Sequence, residues 1–232
     1  MKRNLRYYCL ALPLAVTLCA LNLSAATLTI PVDTEISGSG GVLSGSGEII
    51  ATFDDGGGTG SVDLTLDLSG LTDPQDFLTA FYFNFTGSDF TGFDITSSDP
   101  TFDGFVTGFD SFQADGDGQF DVRIDFSTSN APSSDRLVGG ETATLVITYD
   151  GLTVDFFDAA SAPGGGNGTW TAIARVQGLG AGDDSEGSGW FAGNPDGGGG
   201  EQPVIPEPST LLLIGGALLG LAFYRTRSAD RN

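Results

Sequence analysis

Ser61-Val62-Asp63-Leu64-Thr65-Leu66-Asp67-Leu68 decides the fold class of this 232-residue chain. Apolar residues fall at every second position, so Val62, Leu64, Leu66 and Leu68 line one face while Asp63, Thr65 and Asp67 line the other. That is the signature of a half-buried strand. Phe120-Asp121-Val122-Arg123-Ile124-Asp125-Phe126 repeats it, with Phe120, Val122, Ile124 and Phe126 inward. Arg123 then sits on the wet face between Asp121 and Asp125, where opposite charges offset each other.

Working outward, 27–32, 48–53, 77–85 and 169–176 also read as strands, separated by clusters of glycine, aspartate, serine and proline. Segments 142–149 and 152–157 flank Asp150-Gly151, whose tolerance of positive φ predicts a hairpin with a type I′ turn. No stretch outside the termini has helical periodicity. Residues 27–193 are therefore expected to form one all-β domain, an antiparallel β-sandwich of jelly-roll or Ig-like type. About 165 residues suffice for one core. The run from Gly164 to Gly168 reads as a loop, and 194–205, with four consecutive glycines, as a flexible Gly/Pro-rich linker.

Both ends carry different physics. Lys2, Arg3 and Arg6 precede an apolar run over 10–21 and the small residues Ser24-Ala25-Ala26, the pattern of a secretory signal peptide spanning 1–26. Cys9 and Cys19 both lie inside it, so the mature chain has neither a disulfide framework nor a thiolate metal site. At the other end, 211–224 is uncharged but shorter than the roughly 20 residues that span a bilayer comfortably. We read 209–224 as one C-terminal transmembrane helix, with Gly216 and Gly220 in a GxxxG pattern that lets another helix approach. Arg225, Arg227 and Arg231 would keep 225–232 on the cytoplasmic side.

Val204-Ile205-Pro206-Glu207-Pro208-Ser209-Thr210, followed by Leu211, Leu213, Gly216, Gly220, Leu221, Arg225 and Arg227, resembles the PEP-CTERM sorting signal of diderm bacteria. The resemblance covers about the last thirty residues; Thr226 interrupts the basic cluster, which in that family is often an unbroken arginine run. It implies a substrate of exosortase, a membrane protease that recognises Pro206, Glu207 and Pro208 and removes the tail. It also implies passage through the export machinery, an inner-membrane-anchored precursor, and a final place in the periplasm, at the outer surface or in the extracellular matrix. Exopolysaccharide is the partner such systems suggest. Ala174-Arg175-Val176-Gln177-Gly178-Leu179-Gly180 and Gly187-Ser188-Gly189-Trp190 resemble a recurrent end of the ectodomains attached to these tails, which implies a β-rich exported domain.

Composition narrows the chemistry. Between Thr27 and Pro206 there are three arginines, no lysine and 28 carboxylates, a formal charge of 3 − 28 = −25. Such a domain repels nucleic acid and anionic lipid. Asp115-Gly116-Asp117-Gly118-Gln119-Phe120-Asp121 is the best candidate for a calcium site, because Asp115, Asp117 and Asp121 are closely spaced oxygen donors on a glycine-rich turn. Asp54-Asp55 and Asp183-Asp184-Ser185-Glu186 are weaker. A solvated turn ahead of a strand accounts for the first equally well.

With no histidine in the chain, and no lysine or cysteine in the mature part, Ser-His-Asp, Cys-His and Ser-Lys machinery cannot be assembled. Paired carboxylates of the glycosidase kind remain formally open. Trp170, Trp190, Phe90, Phe93, Phe105 and Phe109 are candidates for core packing or sugar stacking, and Trp190 lies nearest the linker. The expectation is a non-catalytic surface or matrix protein without a cofactor. A carbohydrate-binding module, calcium-assisted or not, is the alternative, and a glycoside hydrolase is more remote.

Overall fold

The structure, a computed structural model, describes residues 25–38, 49–129, 135–166, 168–179 and 187–195. The expected signal peptide up to residue 24, the expected transmembrane helix at 209–224 and the whole sorting signal lie outside these residues. Within them the chain runs β1 (Thr27–Val32), β2 (Thr34–Ser37), β3 (Ile49–Asp54), β4 (Ser61–Asp67), β5 (Phe77–Phe83), β6 (Asp94–Thr96), β7 (Phe102–Gln113), β8 (Gln119–Phe126), β9 (Leu137–Val138) and β10 (Thr142–Thr148). A 3-10 turn (Val154–Phe157), β11 (Ala172–Leu179) and β12 (Gly187–Gly193) complete it.

Every pairing is antiparallel. One sheet has the order β1-β3-β4-β10-β6, and the other β2-β12-β11-β5-β8-β7, with β9 on β5. Alternation explains how they meet. Leu28 and Ile30 of β1, Ala51 and Phe53 of β3, Val62, Leu64 and Leu66 of β4, and Leu145 and Ile147 of β10 turn to one side of the first sheet. Phe81 and Phe83 of β5, Val122 and Ile124 of β8, Ala174 and Val176 of β11, and Phe191 of β12 meet them in the same core. Phe157 seals it, stacked on Phe53 at 4.6 Å and edge-on to Phe83 at 5.5 Å.

Two expectations fail here. Residues 152–157 do not return as a strand: Leu152 N donates to Tyr149 O at 3.1 Å, the chain turns, and 154–157 coils as 3-10 helix. β10 already has β4 on one side and β6 on the other, so no ladder position is free for a hairpin partner. Gly151 alone takes positive φ in that turn, at +72°, whereas type I′ needs two such residues. Phe120 also leaves its expected company. It is fully buried, but against Tyr82, with ring centres 6.0 Å apart, in a second apolar cluster that excludes Val122 and Ile124.

Candidate functional site

The acidic turn between β7 and β8 gives its three aspartates three different settings. Asp115 is exposed at φ +49°, a left-handed conformation that aspartate tolerates. Asp117 is buried against the glycine-rich loop, so close to Gly166 that a Cβ there would collide with Asp117 Oδ1. The turn and loop are further tied by Gly166 N to Gly116 O at 2.8 Å and by Gln113 Nε2 to Gly164 O at 2.9 Å.

Asp121 is buried rather than on the wet face. Its Oδ2 accepts from Phe85 N at 3.0 Å and its Oδ1 from Asp110 N at 2.7 Å, so one carboxylate links the end of β5 to the bulged part of β7. Among the described residues no three acidic side chains are grouped to hold a metal. Asp54 and Asp55 likewise serve their own turn, accepting from Gly56 N and Gly57 N, both at 2.8 Å. The acidic stretch 183–186 lies outside the described residues.

A different site emerges on the outer face of the larger sheet. Cross-strand partners share a face, and the registers carry one row through Ala192, Ile173, Tyr82, Arg123 and Val106. The adjacent row is Trp190, Arg175, Ala80, Asp125 and Gly104. Ile173, Tyr82, Ala80 and Ala192 belong to the second apolar cluster, which Phe112, Ala114, Phe120 and Trp170 extend. This sheet therefore carries buried apolar residues on both faces, with Arg123, Asp125 and Arg175 interspersed on the outer one.

All three arginines of the acidic domain gather on that side. The Arg175 guanidinium lies 5.4 Å from the Trp190 ring centre, and Trp190 lies 5.7 Å from Tyr82. Arg123 is 5.8 Å from the Phe112 ring centre and pairs with Asp125 at 3.0 Å. Arg136 stacks 4.0 Å above Phe77, whose register partner Gln177 points the same way as Arg175. Burial pushes the Tyr82 phenol up from its usual range, while the charges of Arg123 and Arg175 pull against that rise. Arg136 is committed elsewhere, donating to Ser129 O and Thr128 O. Arg175 Nε is buried with no hydrogen-bond acceptor among the described residues.

Of the aromatic candidates, Phe93 is buried, Phe90 and Phe105 pack against the main core, and Trp170 and Trp190 are half-buried. Phe109 is exposed and stacks on Phe90 at 4.7 Å. A pocket of about 500 Å³ opens beside β9, lined by Asp99, Asp135, Arg136 and Glu141 among others. Asp99 accepts from Thr101 and Glu141 from Val138 N, so both hold the turns they stand on. Sequence reasoning missed Arg175 and Tyr82. The available signal was an arginine in the largely apolar run of β11, in a domain with only three.

The described residues thus define an all-β, antiparallel, strongly acidic domain, and among them no helix is long and apolar enough to cross a membrane. Residues 204–228 match the family model of the PEP-CTERM protein-sorting motif, so the chain carries that signal and is an exported, exosortase-targeted protein. No curated protein matches the chain, and no solved structure does.

Proposed function

We propose that the chain is a cell-surface or extracellular-matrix protein whose β-sandwich ectodomain works without catalysis alongside exopolysaccharide, after exosortase has removed its tail. The sorting motif at 204–228 carries this reading. Pro206 and Pro208 fix φ and bias their neighbours away from helix, which suits an extended segment entering a protease cleft. Cleavage near 206–209 would free the domain from 211–232. The test is the intact mass of the envelope-associated protein from cells with and without exosortase. Shortening only when exosortase is present, and full-length precursor in Glu207→Ala, is the expected result; an unshortened C-terminus in both strains would make the segment a plain anchor.

A carbohydrate-binding module is the second reading. The observation favouring it is the outer face of the larger sheet, where Trp190 is half-exposed beside Arg175.

A further inference from the structure

We propose that the acidic corner at the end of β3, Asp54 and Asp55 with Asp63 beside them, is the docking site for the N-terminal ammonium that signal-peptide removal creates. The inference goes beyond the surface-protein reading and rests only on export and on the signal peptide expected from the sequence.

Carboxylates gather at this corner without a cation. Asp54 on β3 stands directly opposite Asp63 on β4, and like charges in register repel. Asp55 follows in the turn. Asp155 and Asp158, on and just after the 3-10 turn that packs against β1 and β3, are exposed and carry the same sign. β12, another neighbour of β1, has no charged residue. The arginines belong to the other sheet: Arg123 stands on β8, Arg175 on β11 over Trp190, and Arg136 above Phe77 of β5. Asp54, Asp55 and Asp63 are not grouped to hold a metal, so a cation delivered by the chain itself fits the corner better than a free ion.

The start of β1 can deliver one. β1 is the edge of its sheet and runs antiparallel to β3, which brings residues 26 and 27 beside 54 and 55. Thr27 is the register partner of Asp54, in the row that continues to Asp63. Ala26 N donates to Asp55 Oδ1 at 2.9 Å, and Ala26 O accepts from Asp55 N at 3.2 Å. Cleavage after Ser24-Ala25-Ala26 removes that donor and turns Thr27 N into an ammonium with three N–H groups of its own. Both partners are accessible, Thr27 being exposed and Asp55 half-buried. Gly57 N, donating to Asp55 Oδ1 at 2.8 Å, keeps the carboxylate in place. The contact ties down the free end of an edge strand.

An ammonium among carboxylates titrates above the ordinary α-amine value of about 7.7–8.0. The folded state then holds the proton more tightly than the unfolded chain. Its stabilisation is complete below about pH 7.7 and is lost as pH rises through the raised value.

The experiment exploits the composition: Lys2 is the only lysine and leaves with the signal, so the exported chain has a single amine. The processed protein is purified from cells in mild detergent, and N-terminal sequencing should read Thr27 first. The rate of amine acetylation against pH then gives the α-amine pKa, expected at least about one unit above its ordinary value, or about tenfold less free amine at pH 7. Asp55→Asn should recover most of that factor and Asp63→Asn part of it. Asp115→Asn, which removes the same charge from the turn between β7 and β8, should recover almost none. The acetylated protein should melt lower than the free amine at pH 6 and equally at pH 10, and Asp55→Asn should abolish the difference at pH 6. An ordinary α-amine pKa, equal effects of Asp55→Asn and Asp115→Asn, or a processed chain that begins before Ala26 or after Thr27 overturns the proposal. The C-terminal mass reads exosortase separately: a trimmed tail with an ordinary amine refutes the docking site alone, and an untrimmed tail with a raised, Asp55-dependent pKa refutes only the surface-protein reading.

Discussion

The two sheets share one core but differ on their outer faces. On the five-stranded sheet the registers align Thr29, Thr52, Thr65 and Thr144 in a row across β1, β3, β4 and β10. Asp63 and Asp67 stand in the rows on either side of it. On the seven-stranded sheet the corresponding outward positions are Ile173, Tyr82, Ala80 and Trp190, crossed by arginines. The first outer face is mainly hydroxyl and carboxylate, with Ile50 and Val146 as apolar exceptions; the second is largely apolar and buried. The turn at 113–118 and the loop ending at Trp170 cover one part, and long arginine side chains the rest.

The largest expected effect tests that difference directly. Ile173 is fully buried although it faces away from the main core, so Ile173→Ala should destabilise by about 2–5 kcal/mol, as in a true interior. Thr144→Ala, also outward-facing but on the other sheet, should stay within about 0.5 kcal/mol. Denaturant titration of both variants would decide it, and equal effects would erase the distinction between the faces.

Asp121 comes next. Asp121→Ala strands Phe85 N in the interior and releases Asp110 N at the β7 bulge, for a cost of roughly 2–4 kcal/mol. Because Asp110 sits at φ +49°, the bulge should also loosen, which amide exchange at 108–112 would report. A variant as stable as wild type would mean that water replaces the carboxylate at no cost.

The same contrast explains what could be read from sequence. A sheet wet on one side leaves its period in the residues, and β1, β4 and β10 were legible to within a residue at each end. The larger sheet keeps that period in β8 but loses it in β5, β7 and β12. β5 is buried at all seven positions, and in β7 two register shifts absorb extra residues, so Phe102, Phe105, Phe109 and Phe112 recur every three or four positions. β12, with glycines at 187, 189 and 193, was not among the predicted strands; it runs close to β1, where a Cβ on Gly193 would meet the carbonyl of Pro31. The sorting motif was fully legible, since it is recognised as linear sequence. The arginine face was not, because register across five strands assembles it from residues more than about a hundred positions apart in sequence, Tyr82 and Ala192 among them.

A smaller effect belongs to a group that no surface reading would find. Asp76 precedes β5, is 5% exposed, and has an Oδ1 without a hydrogen-bond partner. Burial, and then the charge of Asp73, push its carboxyl up to about 6 from 3.8. The folded state therefore holds this proton more tightly than the unfolded chain, and the stability it contributes falls as pH rises from about 4 to about 6. Asp76→Asn should stabilise by about 1–3 kcal/mol at pH 7 and by little near pH 4. Melting curves across that range check it; a gain that does not vary with pH would assign the effect to packing.

The smallest expected change is the most telling for the outer face. Arg123 and Asp125 form an ion pair at 3.0 Å, but their side chains are 36% and 39% exposed, so screening by water leaves little net energy in the contact. Arg123→Gln should cost under about 1 kcal/mol and shift the melting temperature only slightly. If so, fold stability does not explain why this acidic domain places its few cations together over aromatic rings. A loss of several kcal/mol, measured by the same titration, would instead make the arginines struts of the second apolar cluster. It would return this face of the sheet to architecture.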